Sequence, residues 1–404
     1  MNSITEYTEA MELLLKLART ADEEKISLDK AAGRVLAKPL VALYNVPPFD
    51  RSPYDGYAFC SEDVSAASKD VPVTLNITEE IAAGSVPTLP VKPGFAAKVL
   101  TGAPIPQGAD VVIMYEETSF TENTVTVFAP VKSGANIVRA GEDIKKGQIL
   151  AEEGTVIDAG LSGTLASLGM AEVNVYKKPL IGIISTGNEV TEVGEPLKQG
   201  GIYNSNRYAV SNALYSVGCD TKYFGTAHDD VSDISRLIDI ALKECSAVIL
   251  TGGVSVGDYD LTPAAMEKSG VDILVKGVKI KPGMACAYGV KEDKLVLGFS
   301  GNPASSVTNL CAVALPAFKK LCGLKNPEHE LFDVMLAEDF NKKSKLTRFL
   351  RGRLDLTGGS VKMHIPSDQG NVIISSMIGC NVFAIVPEGT GRLKAGTVLK
   401  GFTV

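Results

Sequence analysis

The 404-residue sequence predicts a multidomain protein of mixed α/β and β class, and three features carry that expectation. The chain is too long for one ordinary core, so two to four domains are expected. Between residues 179 and 321, short apolar runs alternate with helical patterns, which points to a doubly wound, largely parallel sheet. Two other stretches, 56–135 and 334–386, read as short β segments, the first separated by Pro- and Gly-rich turns.

Taken in order, Ser3 with Glu6 reads as a capping box before the periodic residues Tyr7, Met11, Leu14, Leu15 and Ala18. A second helix is expected with Ser27 capping Leu28, Ala31, Ala32, Val35 and Leu36, ending before Pro39. Next, Pro47, Pro48 and Pro53 fix φ and hold Asp50, Arg51, Ser52 and Asp55 on a stiff loop, although composition alone favours an inter-domain linker. Strands are expected at 71–77, 97–100, 111–115 and 125–128. Asp158 caps a small-residue-rich helix that runs through Leu168 and closes at Gly169. That helix suits pairing with the N-terminal ones, so 1–45 and 138–177 read as a split domain with a β domain, 46–137, inserted. Residues 178–325 form the α/β unit. Its strands are expected at 180–185, 221–226, 247–251, 279–280, 285–289 and 295–299, and its helices at 206–217, 231–244, 262–269 and 305–321. Residues 326–404 form a last all-β unit, with strands at 334–337, 347–354, 360–363 and 382–386.

Bulk composition narrows the function. With 45% apolar and 22% charged residues, the chain has the make-up of a soluble globular protein. No apolar run is long enough for a membrane span, and the N-terminal stretch lacks the basic region of a secretory signal, so a cytoplasmic location is expected. Seven scattered cysteines without a C-x-x-C pair read as reduced thiols. A net charge of −7 argues against nucleic acid as partner. The three histidines lie far apart, and Walker A, G-x-S-x-G, H-E-x-x-H and dinucleotide fingerprints are missing, which disfavours nucleophilic side-chain catalysis and nicotinamide chemistry.

The chemistry is expected where the α/β strands end. SAVILTGGVSVGDYD, residues 246–260, is a buried-strand pattern that opens at Gly252 and Gly253, passes Ser255 and Gly257, and delivers Asp258 and Asp260. Carboxylates beside such a turn would repel a phosphate unless a cation lies between them, so a metal-bridged phosphate site is expected; solvated aspartates are the bland alternative. Other strand ends carry Ser185-Thr186-Gly187-Asn188-Glu189, His228-Asp229-Asp230 and Ser300-Gly301-Asn302-Pro303. Four polar endings at one sheet edge build a crevice. Lys279 and Lys281 share a strand face and could converge on one oxyanion. Arg351 and Arg353 share another, with Arg348 opposite, and a guanidinium fork suits a tetrahedral oxyanion. A solvated strand face, the usual fate of a charge run, is the bland alternative for the lysines, and a solvated edge strand protected by charge is that for the arginines. The remaining reading is a metal-assisted reaction on a phosphorylated, nucleotide-like ligand with a small oxyanion.

VPPFDRSPYDGYA, LTGAPIPQGADVV, RAGEDIKKG, ISTGNEV, TGGVSVGDYD, KPG, SGNPAS and FLRG, in this order, resemble the molybdopterin molybdenumtransferase (MoeA) family, to which the E domain of gephyrin is related. The resemblance implies an elongated split α+β domain, an inserted β domain, a pterin-binding α/β domain and a C-terminal β-barrel-like domain, assembled as a homodimer. It implies insertion of molybdate into adenylylated molybdopterin with Mg²⁺-dependent release of AMP, on substrate from an upstream molybdopterin adenylyltransferase. Matched by motif, it implies catalytic roles for Asp55, Thr101, Glu189, Asp229 and Asp260, with Asp55 and Thr101 facing the other subunit's site. Glu189, Asp229 and Asp260 would hold the metal. Gly252, Gly253, Ser255, Lys279, Lys281, Ser300, Asn302, Pro303, Arg351, Ser375 and Ser376 would bind substrate. The pattern departs from the family at Gly277, where a basic residue is usual and Lys276 or Lys279 could substitute, at Met284-Ala285 and at Ser300. A pterin-binding scaffold without catalysis, and an enzyme cleaving a different nucleotide's pyrophosphate, are the competing readings.

Overall fold

The computed structural model describes residues 4–254 and 261–404. The chain divides into two compact units, one comprising residues up to Lys38, Glu153–Asp158 and Glu172–Val404, the other Pro39–Glu152 and Ala159–Ala171.

In the first unit, a six-stranded sheet runs in the order Asp220–Ala227, Leu180–Thr186, Ala247–Thr251, Lys294–Phe299, Cys286–Lys291, Asp272–Lys276. The first four strands are parallel, Cys286–Lys291 runs antiparallel to both of its neighbours, and Asp272–Lys276 runs in the direction of the first four. Alternate residues explain the continuous apolar runs: Ala247 and Ile249 enter one core, while Val248 and Leu250 enter the core on the opposite face. The helices Ser205–Tyr215 and Val231–Glu244 pack into those opposite cores. The strand order therefore reverses between Leu180–Thr186 and Ala247–Thr251, and a crevice opens outside their carboxyl ends. The helix Val231–Glu244 has the expected bounds, capped by Asp230, whose carboxylate accepts from the Ser232 and Asp233 N–H groups.

The C-terminal region of this unit closes into a five-stranded barrel. Thr347–Asp355, Lys362–His364, Phe332–Leu336, Val398–Thr403 and Val382–Val386 pair in a ring. Ile280–Lys281 adds to its rim, parallel to Thr347–Asp355, with Lys281 in register with Arg348. The segment expected in the α/β sheet thus belongs to the barrel sheet. Phe349, Phe383 and Phe402 join the same core as Ile249 and Leu297. At about 1.5–3 kcal/mol for each fully buried side chain, those three phenylalanines fix the barrel on the sheet.

Two N-terminal expectations fail. The first helix, Tyr7–Leu17, begins after Glu6, whose side chain makes no cap and instead pairs with Lys279; Ser3 lies outside the described residues. In place of the second helix stand the strand Glu23–Ser27, antiparallel to Glu172–Tyr176, and one 3-10 turn, Leu28–Lys30. Gly33, at φ +72°, interrupts the helical spacing there.

In the second unit, six strands form one mixed sheet in the order Val111–Met114, Gly56–Phe59, Phe95–Val99, Val73–Ile81, Thr124–Val127, Thr118–Phe120. The proline-rich stretch before it is not a loose linker. Asp50 accepts from the Ala140 N–H at 2.8 Å and from Arg139 Nη1 at 2.7 Å, and Ser52, fully buried, exchanges backbone bonds with Ala103 and Gly102. All seven cysteines are free thiols. Among the described residues, no helix is long and apolar enough to cross a membrane.

Candidate active site

Two cavities of the first unit share one wall, the segment 300–303. The first, about 400 Å³, lies at the strand ends on either side of the order reversal. Ser185 to Gly187 and Thr251 to Gly253 supply its floor, Glu189 and Asp229 its carboxylates, and Gly301 and Pro303 the shared wall. It therefore unites Glu189, Asp229, Gly252, Gly253 and Pro303 of the expected site.

Local sequence explains these placements. Gly252 sits at φ +109°, and a Cβ there would stand 2.8 Å from the Thr186 carbonyl oxygen. Gly253, at φ +63°, would place a Cβ 2.8 Å from Thr262 Oγ1. No other residue fits this turn without displacing a neighbour. The glycine turn is only partly available as a phosphate cradle, because the Gly252 N–H donates to the Phe299 carbonyl at 2.9 Å and closes the sheet. The aspartate pair divides its work: Asp230 caps its helix, while Asp229 accepts from the Asn188 N–H at 3.2 Å. His228 Nδ1 meets Asn188 Oδ1 at 3.1 Å, so the histidine orients that asparagine. Glu189 lies against Gly187, at φ +124°, where a Cβ would stand 2.7 Å from Oε1.

Sequence reasoning missed Asn204 and Asn206, which also line this cavity. The Asn204 side chain accepts from the Arg207 N–H as a helix cap and donates to Ser185 Oγ and the Tyr223 hydroxyl, each at 3.0 Å. Asn206 donates to the Gly301 carbonyl at 2.9 Å and keeps its Oδ1 buried without a partner. The cap position of Asn204 before a helical pattern was the available signal.

The second cavity, about 500 Å³, is cationic. Lys281, Arg348 and the exposed Lys342 line it together with Ser300, Asn302 and Ser305, and no carboxylate does so among the described residues. The loop bearing Lys281 is held from behind: Asn309 Nδ2 donates to the Gly283 carbonyl at 2.7 Å, and the buried Tyr288 hydroxyl donates to Asn309 Oδ1.

Several expected ligands are occupied elsewhere. Lys279 pairs with Glu6 and Lys276 with Glu267 at 2.9 Å, and neither lines the cavity with Lys281. Arg351 is fully buried. Its Nε and Nη2 donate to Ser376 Oγ at 2.8 and 2.6 Å, and Nη2 also donates to the Gly370 carbonyl at 2.8 Å. Arg351 and Ser376 therefore brace the segment 369–376 rather than line the cavity, and Ser375 does not line it either. Ser255, Asp258 and Asp260 lie outside the described residues. Among the described residues, no cluster of three or more His, Cys, Asp or Glu side chains could hold a metal ion, leaving Glu189 and Asp229 as a carboxylate pair in one cavity.

Asp55 and Thr101 belong to the second unit. The Thr101 N–H and Oγ–H donate to Asp55 Oδ1 at 2.6 and 2.8 Å, and these bonds lower the Asp55 pKa below the ordinary carboxylate value.

The comparisons with known proteins agree over nearly the whole chain. The MoeA N-terminal region (domain I and II) matches residues 5–169, a probable molybdopterin binding domain matches 182–320, and the MoeA C-terminal region (domain IV) matches 333–400. The molybdopterin molybdenumtransferase of Staphylococcus epidermidis is 34% identical over 393 residues, covering 97% of this chain and 93% of its own. That of Bacillus subtilis is 33% identical over 396 residues, covering 97% and 92%. The structure of the molybdopterin biosynthesis MoeA protein from Pyrococcus horikoshii OT3 is 31% identical, with a TM-score of 0.85 and complete coverage of both chains. The chain belongs to the MoeA family, with its α/β domain, barrel and mixed β sheet as the family's parts.

Proposed function

We propose that this chain is a molybdopterin molybdenumtransferase that inserts molybdate into adenylylated molybdopterin and releases AMP, the last step of molybdenum cofactor synthesis. The observation that carries the reading is the shared wall: one cavity presents carboxylates and a glycine turn, the adjoining one presents cations, and 300–303 separates them. A phosphoanhydride and an oxyanion need those opposite environments.

Two carboxylates with open coordination suit Mg²⁺, which is commonly held by one or two carboxylates plus substrate phosphates. Glu189 and Asp229 would hold it, with Asp260 as third ligand, and when bound it would offset charge on the phosphates. The chain's own residues do the positioning. Asn188 fixes the Asp229 carboxylate, and the glycine turn lets the ligand approach the backbone. Asn206 Oδ1 offers an acceptor to a ring N–H donor. Lys281 attracts molybdate, and the Ser300 and Ser305 hydroxyls can donate to its oxygens. The reading includes a cytoplasmic homodimer in which Asp55 and Thr101 complete the other subunit's site, supplied by a molybdopterin adenylyltransferase.

The test is AMP release from adenylylated molybdopterin in the presence of molybdate, titrated with Mg²⁺. Wild type is expected to require the metal. Glu189→Gln/Asp229→Asn is expected to lose at least 100-fold in rate, or to need far more Mg²⁺. Metal-independent release, or a double variant as active as wild type, would refute the assignment.

A further inference from the structure

We infer that Arg348 is the guanidinium that grips the oxyanion in the cationic cavity and sets its preference for tetrahedral anions. The inference rests on the proposed function, deepening it by one residue.

Arg348 is 4% exposed, and its Nε is buried without a hydrogen-bond partner. It lines the cavity, and no carboxylate among the described residues pairs with it. The Phe340 ring lies 5.4 Å from the guanidinium carbon, and this contact restricts the orientation of its plane. Strand register places Lys281 directly beside it. Burial lowers its pKa by desolvation, with no neighbouring anion to offset the cost. An unpaired buried cation destabilises a fold. Arg351 shows the contrast three residues away in the same strand: it is also buried, yet its donors are taken by Ser376 and Gly370. One arginine is satisfied by protein and the other waits for an acceptor. A guanidinium fork matches two oxygens of a tetrahedral anion, while the Lys281 and Lys342 ammonium groups add charge without fixing direction.

The test is calorimetric titration of sodium molybdate into the full chain, with thermal melting of each variant. Arg348→Met is expected to weaken molybdate binding at least tenfold while its Tm stays level or rises, because the variant no longer buries an unpaired charge. Arg348→Lys, which keeps the charge but loses the fork, is expected to fall between and serves if the Met variant fails to fold. Wild-type affinity in Arg348→Met, with binding lost in Lys281→Met, would overturn the inference and leave the proposed function standing. Wild type that takes up no molybdate, with or without adenylylated molybdopterin, would overturn both. A clear fall in the Tm of both Arg348 variants with molybdate affinity retained would make Arg348 structural and refute the inference.

Discussion

Arg351→Met separates a brace from a ligand. The wild-type guanidinium makes three bonds of 2.6–2.8 Å to Ser376 Oγ and the Gly370 carbonyl. Removing it strands two acceptors, each costing about 1–3 kcal/mol. Against that, the variant no longer desolvates a charge, a burden visible in the burial-lowered pKa of Arg351. The net loss is expected near 2 kcal/mol, or roughly 4–8 °C in Tm on the scaling for domains of 150–250 residues. With no tryptophan in the chain, urea unfolding followed by far-UV circular dichroism is the suitable readout. Backbone order across 369–376 should fall in hydrogen exchange. Unchanged stability combined with lost molybdate binding would refute the reasoning and make Arg351 a direct ligand.

Gly252→Ala should cost about 1–3 kcal/mol from its left-handed φ alone, more from the contact with Thr186, and should lower AMP release; an unaffected variant would mean the turn relaxes freely. Thr101→Val removes one of two bonds that lower the Asp55 pKa, so carboxyl titration by NMR should show it rise toward the ordinary value, and no shift would contradict the pairing. Two histidines should tilt stability with opposite signs. Burial lowers His329 to about 4, below its ordinary 6.5, so its contribution is complete above 6.5 and is lost as pH falls toward 4. Glu338 and Asp355 raise His364, so its contribution is complete below 6.5 and is lost as pH rises through the folded value. Urea midpoints of His329→Leu and His364→Gln between pH 4 and 9 should each lose one of those slopes, and parallel profiles would contradict both.

Most of the α/β unit was legible because those elements follow local rules, although its edge strand Asp272–Lys276 went unread. The run 247–251 is apolar on both faces, and Asp230 announces the helix it caps. What local pattern cannot show is which distant strand a segment joins. Residues 280–281 look like sheet strand anywhere, yet they complete the barrel rim, and that placement sets Lys281 beside Arg348. Period two placed Arg348 and Arg351 on opposite faces correctly, but only the folded barrel shows which face meets the cavity. The 28–36 stretch misled for the opposite reason. Its small apolar residues suit a helix, but Gly33 and the bridges of Val35 to Val156 and Leu36 to Val175 override them. The strand Gly56–Phe59 went unread because glycine weakens a strand pattern, although here the Ile113 backbone leaves no room for a Cβ.

The most direct test of the account is to quantify AMP and molybdenum cofactor together in a single turnover of wild type with adenylylated molybdopterin, Mg²⁺ and molybdate. The account predicts that the two appear in equal amounts and that AMP falls to background when molybdate is left out. AMP released at the same rate without molybdate would mark an enzyme that merely cleaves the nucleotide, and tight pterin binding without AMP would mark a scaffold.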